Sequence, residues 1–172
     1  MNTKQAITVA VIIGIVVIVF VWFTNEQNSQ VSGVLSQGDE QINSNQLSSP
    51  EPFFDFGTIP MSAGTVSHTF KIKNANTEQV VVTKIYTSCM CTIATLVTKA
   101  GTAGPFGMPG HATIPSIKQN IAPDEEASVE IVFDPAAHGP QGVGKVRRIV
   151  YLETGGGPDS ALQLSFEATV TP

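Results

Sequence analysis

Short segments in which apolar and polar residues alternate dominate the chain from Glu51 onward. The segment 66–73, for example, reads Val-Ser-His-Thr-Phe-Lys-Ile-Lys, and Gly, Pro, Asn and Asp separate it from its neighbours. A period of two places one face of a strand in a core and leaves the other in solvent, whereas no stretch here shows the 3.6-residue period of a helix. The sequence therefore predicts an all-β fold, an immunoglobulin-like β-sandwich of about seven strands over residues 51–172.

One segment interrupts this pattern. Residues 96–117 are rich in Gly, Pro and Thr and also contain Met108 and His111. A loop of this length is uncommon inside a compact domain and is more often functional or mobile than neutral. We therefore expect an inserted loop that brings a thioether and an imidazole to a functional site.

The N-terminus carries an uncharged apolar run over residues 6–23. This run is just long enough for a membrane-spanning helix, which needs about 17–25 apolar residues. It ends in Trp22 and Phe23 rather than in small residues, which favours an uncleaved signal-anchor over a cleaved signal peptide. Lys4 then places residues 1–5 in the cytoplasm. The polar residues 24–50 predict a flexible linker to a folded domain on the extracytoplasmic side of the cell membrane.

Charge limits the expected partners. The net charge is −5, and charged residues make up only 13% of the chain, so no basic surface for nucleic acid is expected. The partners predicted are the membrane, through the N-terminal helix, and a protein that docks on a free strand edge. Lys145, Arg147 and Arg148 are interpreted as an exposed strand face or as charge partners for the acidic residues between Asp124 and Asp134. No catalytic constellation is present in the sequence, and an enzyme is not expected.

The two cysteines of the chain, Cys89 and Cys91, lie one residue apart after the apolar segment 80–86. In an extended strand, alternate residues point to the same side, so both sulfurs should share one face. Together with Met108 and His111 they form a soft ligand set, which predicts copper(I), or zinc(II) if a fourth ligand completes a tetrahedron. Met90 would point away from the two sulfurs unless the strand bulges there, and it is a weaker candidate ligand.

Two other interpretations of the cysteine pair stay open. The extracytoplasmic compartment permits a reversible disulfide, which would be strained between alternate residues and therefore easily reduced. Free cysteines are also among the most buried residue types and can be inert packing. Of the other two histidines, His68 is predicted to lie in the core or at its rim, and His138 in a solvated loop.

Four motifs resemble a bacterial family of unknown function. They are Phe-Asp-Phe-Gly-Thr-Ile at 54–59, His-Thr-Phe-Lys-Ile-Lys-Asn at 68–74, Thr-Ser-Cys-Met-Cys-Thr at 87–92 and Ile-Val-Phe-Asp-Pro at 131–135. The family, domain of unknown function 1573, has a Ser-Cys-Gly-Cys-Thr motif and is similar to hydin-like and major-sperm-protein-like immunoglobulin folds. The resemblance implies a secreted or membrane-tethered β-sandwich without an assigned activity. Met90 replaces the glycine of the motif, which adds a sulfur atom and removes backbone freedom.

Overall fold

The computed structural model describes residues 47–155 and 157–172, and this part of the chain is all-β, as the alternation predicted. Its strands are β1 (Phe53–Pro60), β2 (Val66–Lys73), β3 (Val80–Val82), β4 (Lys84–Thr87), β5 (Thr92–Thr98), β6 (Gly101–Phe106), β7 (Gln119–Ile121), β8 (Glu126–Phe133), β9 (Gly144–Glu153) and β10 (Leu162–Thr171). Three short 3-10 helices cover Met61–Ala63, Gly139–Gly142 and Pro158–Ser160.

The strands form two four-stranded sheets and one small two-stranded sheet. The first sheet has the order β1-β10-β9-β4, in which only β1 and β10 are parallel. The second sheet has the order β2-β8-β5-β6 and is antiparallel throughout. The structure has more strands than the seven or so predicted, partly because segment 80–86 is divided at Thr83. Its first half pairs with β7 and its second half with β9.

The core lies between the inward faces of the two four-stranded sheets, an arrangement consistent with a β-sandwich. Phe133 on β8 and Phe166 on β10 belong to different sheets, and their ring centroids are 5.2 Å apart. Both side chains are fully buried, as is Phe70 on β2. Burial alternates along β8 with the period of two that the sequence predicted. Large apolar side chains from both sheets therefore hold the domain together.

The prediction of a loop over residues 96–117 is wrong for its first half. Alternation continues along β5 to Thr98, and the chain then turns back into β6, so this part of the insertion is a β-hairpin. Gly104 is required here, because a Cβ at this position would lie 3.0 Å from the Ala94 carbonyl oxygen. Residues 107–117 contain no named strand.

The folded domain includes residues that the sequence placed in the linker. Leu47 is only 2% exposed, and the backbone of Ser48 pairs with Lys73 through hydrogen bonds of 2.8 and 2.9 Å. The Ser49 hydroxyl also donates to the Lys71 carbonyl at 2.7 Å. The domain therefore includes residues from Leu47, four before the predicted boundary.

The predicted membrane helix at 6–23 and the linker up to residue 46 lie outside the described residues. Within 47–155 and 157–172, no helix has the length and hydropathy needed to cross a membrane. The predicted anchor and the predicted side of the membrane stay predictions.

Candidate metal centre

The segment Cys89-Met90-Cys91 forms a turn and not the extended strand that the sequence predicted. The turn connects β4 of the first sheet to β5 of the second, and the Thr92 N–H donates to the Cys89 carbonyl at 3.2 Å. The Thr87 hydroxyl lies within hydrogen-bonding distance of both the Cys89 carbonyl (2.9 Å) and the Thr92 carbonyl (3.0 Å). The turn occurs because the chain passes from one sheet to the other at this point.

The turn nevertheless brings the two sulfurs to one side. The Cys91 N–H points at Cys89 Sγ at 3.5 Å, and the two thiols are free. Cys89 is 9% exposed and Cys91 is 3% exposed, whereas Met90 between them is 46% exposed. The two thiols are therefore buried, whereas the Met90 side chain, which lies between them in sequence, is exposed.

His138 completes a group of three potential ligands. Its Nε2 lies 3.0 Å from Cys89 Sγ, and the two sulfurs and a ring nitrogen of His138 all lie within 4.8 Å of one another. In the part of the chain that the structure describes, no other group of three or more Cys, His, Asp or Glu side chains could hold a metal. The prediction that His138 is exposed in a loop is correct, but its contact with Cys89 was missed.

The loop between β8 and β9 holds this imidazole in place. The Asp134 N–H donates to the Cys91 carbonyl at 2.9 Å, which joins the loop to the cysteine turn. The Asp134 carboxylate accepts the Ala136 N–H at 2.8 Å and so closes the start of the loop. At its end Gly142 packs on His138, because a Cβ on Gly142 would lie 3.0 Å from the His138 Cβ.

Arg148 supplies a positive charge next to the dithiol, where it contacts Cys91. Its Nε donates to Cys91 Sγ at 3.2 Å, and its Nη1 donates to the Arg147 carbonyl at 2.9 Å. The side chain is half-buried. The interpretation of all three cations in β9 as an exposed face is therefore wrong for Arg148, although it holds for Lys145 and Arg147.

The surroundings shift the pKa values of the two thiols in opposite directions. Burial tends to raise the pKa of Cys89, but hydrogen bonds from the Cys91 thiol and N–H and from His138, with the charge of Arg148, lower it to about 7. Burial, followed by the hydrogen bond with Cys89, raises the pKa of Cys91. Cys89 is therefore the more acidic thiol of the pair and ionises before Cys91.

The other two predicted ligands are Met108 and His111, and of these His111 is not part of this group. Met108 is half-buried and lines a depression of about 510 Å³ together with Tyr86, Ser88 and Tyr151, among others. His111 is exposed in the turn that follows, where its N–H donates to the Met108 carbonyl at 3.2 Å. The structure brings together Cys89 and Cys91 of the predicted set, and it adds His138 to them.

Part of the chain is similar to a known protein family. Residues 47–106 match the sequence model of a family described as "Protein of unknown function (DUF1573)", which confirms the resemblance drawn from the motifs. The match includes the cysteine turn and ends before His138 and Arg148. No curated protein matches the chain.

Three solved structures are distantly similar in sequence and fold. A protein of unknown function from Porphyromonas gingivalis W83 is 13% identical with a TM-score of 0.49, over 72% of this chain and 46% of that one. The secreted serine protease VesC from Vibrio cholerae is 11% identical with a TM-score of 0.47, over 75% and 24%. PapD-like domain 7 of human CEP192 is 15% identical with a TM-score of 0.40, over 84% and 95%. The chain thus spans less than half the length of the first two proteins.

Proposed function

We propose that this immunoglobulin-like sandwich binds one copper(I) ion through Cys89, Cys91 and His138. The observation that carries the proposal is that their three ligand atoms all lie within 4.8 Å of one another. Metal bonds of about 2.0–2.3 Å separate ligand atoms by about 3.5–4 Å, so small side-chain rotations would close the group around an ion. Two thiolates and an imidazole form a soft set that suits copper(I).

The charges around the site favour copper(I) over zinc(II). Two thiolates with copper(I) carry a net charge of −1, which the guanidinium of Arg148, 3.2 Å from Cys91 Sγ, would neutralise. The same thiolates with zinc(II) are neutral and would leave a half-buried cation without a counter-charge. Zinc(II) in structural sites also takes four ligands, and within the described residues the group offers only three Cys, His or carboxylate side chains.

Thiol–disulfide exchange is the second candidate function, and the lowered pKa of Cys89 favours it. The Cys89 thiolate would attack a disulfide of another protein and release one of its sulfurs as a thiolate. Cys91 would then lose its proton and attack the mixed disulfide, which oxidises the pair and reduces the other protein. A bridge between alternate cysteines is strained, so the equilibrium favours the reverse reaction, in which the bridged pair oxidises two thiols of another protein and is itself reduced to the two free thiols.

The proposed role is one of binding and not of catalysis. If residues 6–23 anchor the chain as the sequence predicts, the metal centre would lie at the outer side of a cell membrane. A protein partner would then reach it from the extracytoplasmic space. The outermost strands of the described sheets, β1, β4, β2 and β6, are where strand-edge docking is proposed.

Anaerobic copper(I) titration of the reduced full chain against a chromophoric copper(I) chelator tests the proposal. We expect one equivalent to bind, Cys89→Ser to abolish binding, and His138→Ala to weaken it by about tenfold or more, which is 1.4 kcal/mol. His111→Ala is the matched control, because this imidazole is exposed outside the group, and it should bind as the native chain does.

Three results would contradict the proposal. Absence of binding by the native chain would exclude a copper(I) site and leave thiol exchange. Unchanged binding by Cys89→Ser would exclude the cysteine turn. Weakened binding by His111→Ala with unchanged binding by His138→Ala would restore the ligand set predicted from sequence.

A further inference from the structure

The potential ligands at the cysteine turn differ steeply in their access to solvent. Cys91 is 3% exposed and lies next to Arg148, whereas Cys89 is 9% exposed and contacts an exposed histidine, His138. Met90, at the apex of the turn, is 46% exposed. Of these four side chains, Met90 and His138 are therefore the two that are exposed to solvent, and Cys91 is the least accessible.

The exposure of Met90 has no explanation in packing. It has the largest exposed fraction among the large apolar side chains of the described residues, and it is not part of the core. The turn holds it in sequence between the two cysteine ligands, with the Thr92 N–H bonded to the Cys89 carbonyl. A thioether binds copper(I) but is a poor ligand for harder ions, and its flexible side chain adapts to different positions.

We propose that Met90 is the exchange ligand of the site, the first protein atom to bind copper(I) as it arrives from a sulfur-ligated carrier. This inference rests on the proposed copper(I) site. The ion first bridges the carrier and the Met90 thioether, and then passes to the Cys89 thiolate and to His138. Cys91 binds last, and its thiol proton passes to the thiolate that the carrier releases. Copper stays in the +1 state throughout, so the transfer needs no oxidant or reductant.

An exchange ligand differs from an equilibrium ligand in what its removal changes. Once Cys89, Cys91 and His138 hold the ion, Met90 contributes little to the affinity, because its side chain lies outside the buried dithiol. During transfer it stabilises the intermediate in which both carrier and protein hold the ion. Removal of the thioether should therefore slow transfer and leave the equilibrium unchanged.

Stopped-flow transfer from copper(I)–glutathione to the reduced full chain under anaerobic conditions tests this inference. Met90→Leu keeps the size and apolar character of the side chain and removes only the sulfur. We expect transfer to be slowed about tenfold, with the dissociation constant from chelator competition changed less than about threefold. Met108→Leu is the matched control, since Met108 is half-buried and lines the depression beside Tyr86, and its transfer rate should be native.

The outcomes separate this inference from the function on which it rests. Native transfer by Met90→Leu, with one equivalent still bound, would overturn the exchange role and keep the copper(I) site. A large loss of affinity in Met90→Leu would also overturn it, because Met90 would then be a permanent ligand. Slowing by Met108→Leu to the same extent would show that the effect is not specific to Met90. Absence of binding by the native chain would overturn both proposals.

Discussion

Replacement of Arg148 by Gln should shift the metal preference of the site from copper(I) toward zinc(II). The substitution removes the charged guanidinium that donates to Cys91 Sγ at 3.2 Å and introduces no sulfur that could bind copper(I). With copper(I), the two thiolate ligands leave a net charge of −1, which loses its counter-charge. With zinc(II), the centre is neutral and loses little.

The size of the shift follows from this distance. A metal–sulfur bond of about 2.3 Å places the ion no farther than about 5.5 Å from Arg148 Nε. One unit of charge at this distance is worth about 3 kcal/mol at an effective dielectric constant of about 20. Because Arg148 is only half-buried, solvent screens part of this energy, and we expect about 1–3 kcal/mol. The ratio of copper(I) to zinc(II) affinity should therefore fall about 5- to 150-fold.

Competition titrations of both metals, under anaerobic reducing conditions, measure this ratio directly. Arg147→Gln is the matched control, because Arg147 is a neighbouring cation on the opposite face of β9, with its guanidinium 5.9 Å from the centroid of the Phe53 ring. It should leave the ratio unchanged. If Arg148→Gln leaves the ratio unchanged as well, or raises it, the electrostatic argument for copper(I) is wrong even if the metal binds.

Three further perturbations test the site and its surroundings. Gly142→Ala should weaken copper(I) binding about as much as His138→Ala, since the new Cβ would lie 3.0 Å from the His138 Cβ; native affinity in the same titration would contradict this positioning role. In the metal-free chain, alkylation of Cys89 by iodoacetamide, followed by mass spectrometry, should rise through about pH 7, and a midpoint near 9 would show that its neighbours do not stabilise the thiolate. His68→Phe should stabilise the domain by about 1 kcal/mol at pH 7 in urea unfolding, because His68 Nε2 is buried without a hydrogen-bond partner; equal stability would mean that this atom costs nothing.

The pH dependence of the His68 variant has a definite sign. Burial lowers the pKa of His68, with a smaller opposing effect from Glu51, so below pH 6.5 the unfolded chain binds more protons there than the folded chain does. The native chain should thus lose stability as the pH falls from 6.5 through the folded-state pKa. The Phe variant should not show this loss, and its advantage should widen at pH 5.

The sequence alone predicted the β-class and part of the site. Alternation with a period of two identified β2 and β8 because one face of each strand is buried, and His68 lies among Phe54, Phe56 and Phe70 as a core or rim histidine should. The two cysteine sulfurs do lie close together, but in a turn and not in the extended strand from which the prediction was argued. In these cases the determining interactions are local.

The third candidate ligand, His138, could not be predicted from local spacing, because its position next to the cysteines depends on which strands pair. The start of β5 lies beside the end of β8, with Thr92 opposite Phe133, so a residue soon after β8 reaches the cysteines. His138 is such a residue. His111 follows a hairpin that returns close to the turn, with Phe106 opposite Ala94, but it is exposed and is not part of the group of three. Arg148 did leave a signal, since it shares the inward face of β9 with Val150 and Leu152. A cation on an apolar strand face is unusual and indicates a buried partner.

The position of the site follows from the way the chain changes sheets. The cysteine turn carries the chain from the first sheet to the second, and the loop with His138 carries it back, from β8 to β9. Both connections lie at one end of the domain, where the hydrogen bond from Asp134 to the Cys91 carbonyl joins them. The candidate ligands thus lie on loops, which can adjust. The ends of these loops are fixed by paired strands. A metal ion bound here would link the two connections as well as the three side chains, so its binding should stabilise the domain, by about 2.7 kcal/mol when free metal is at 100 times the dissociation constant.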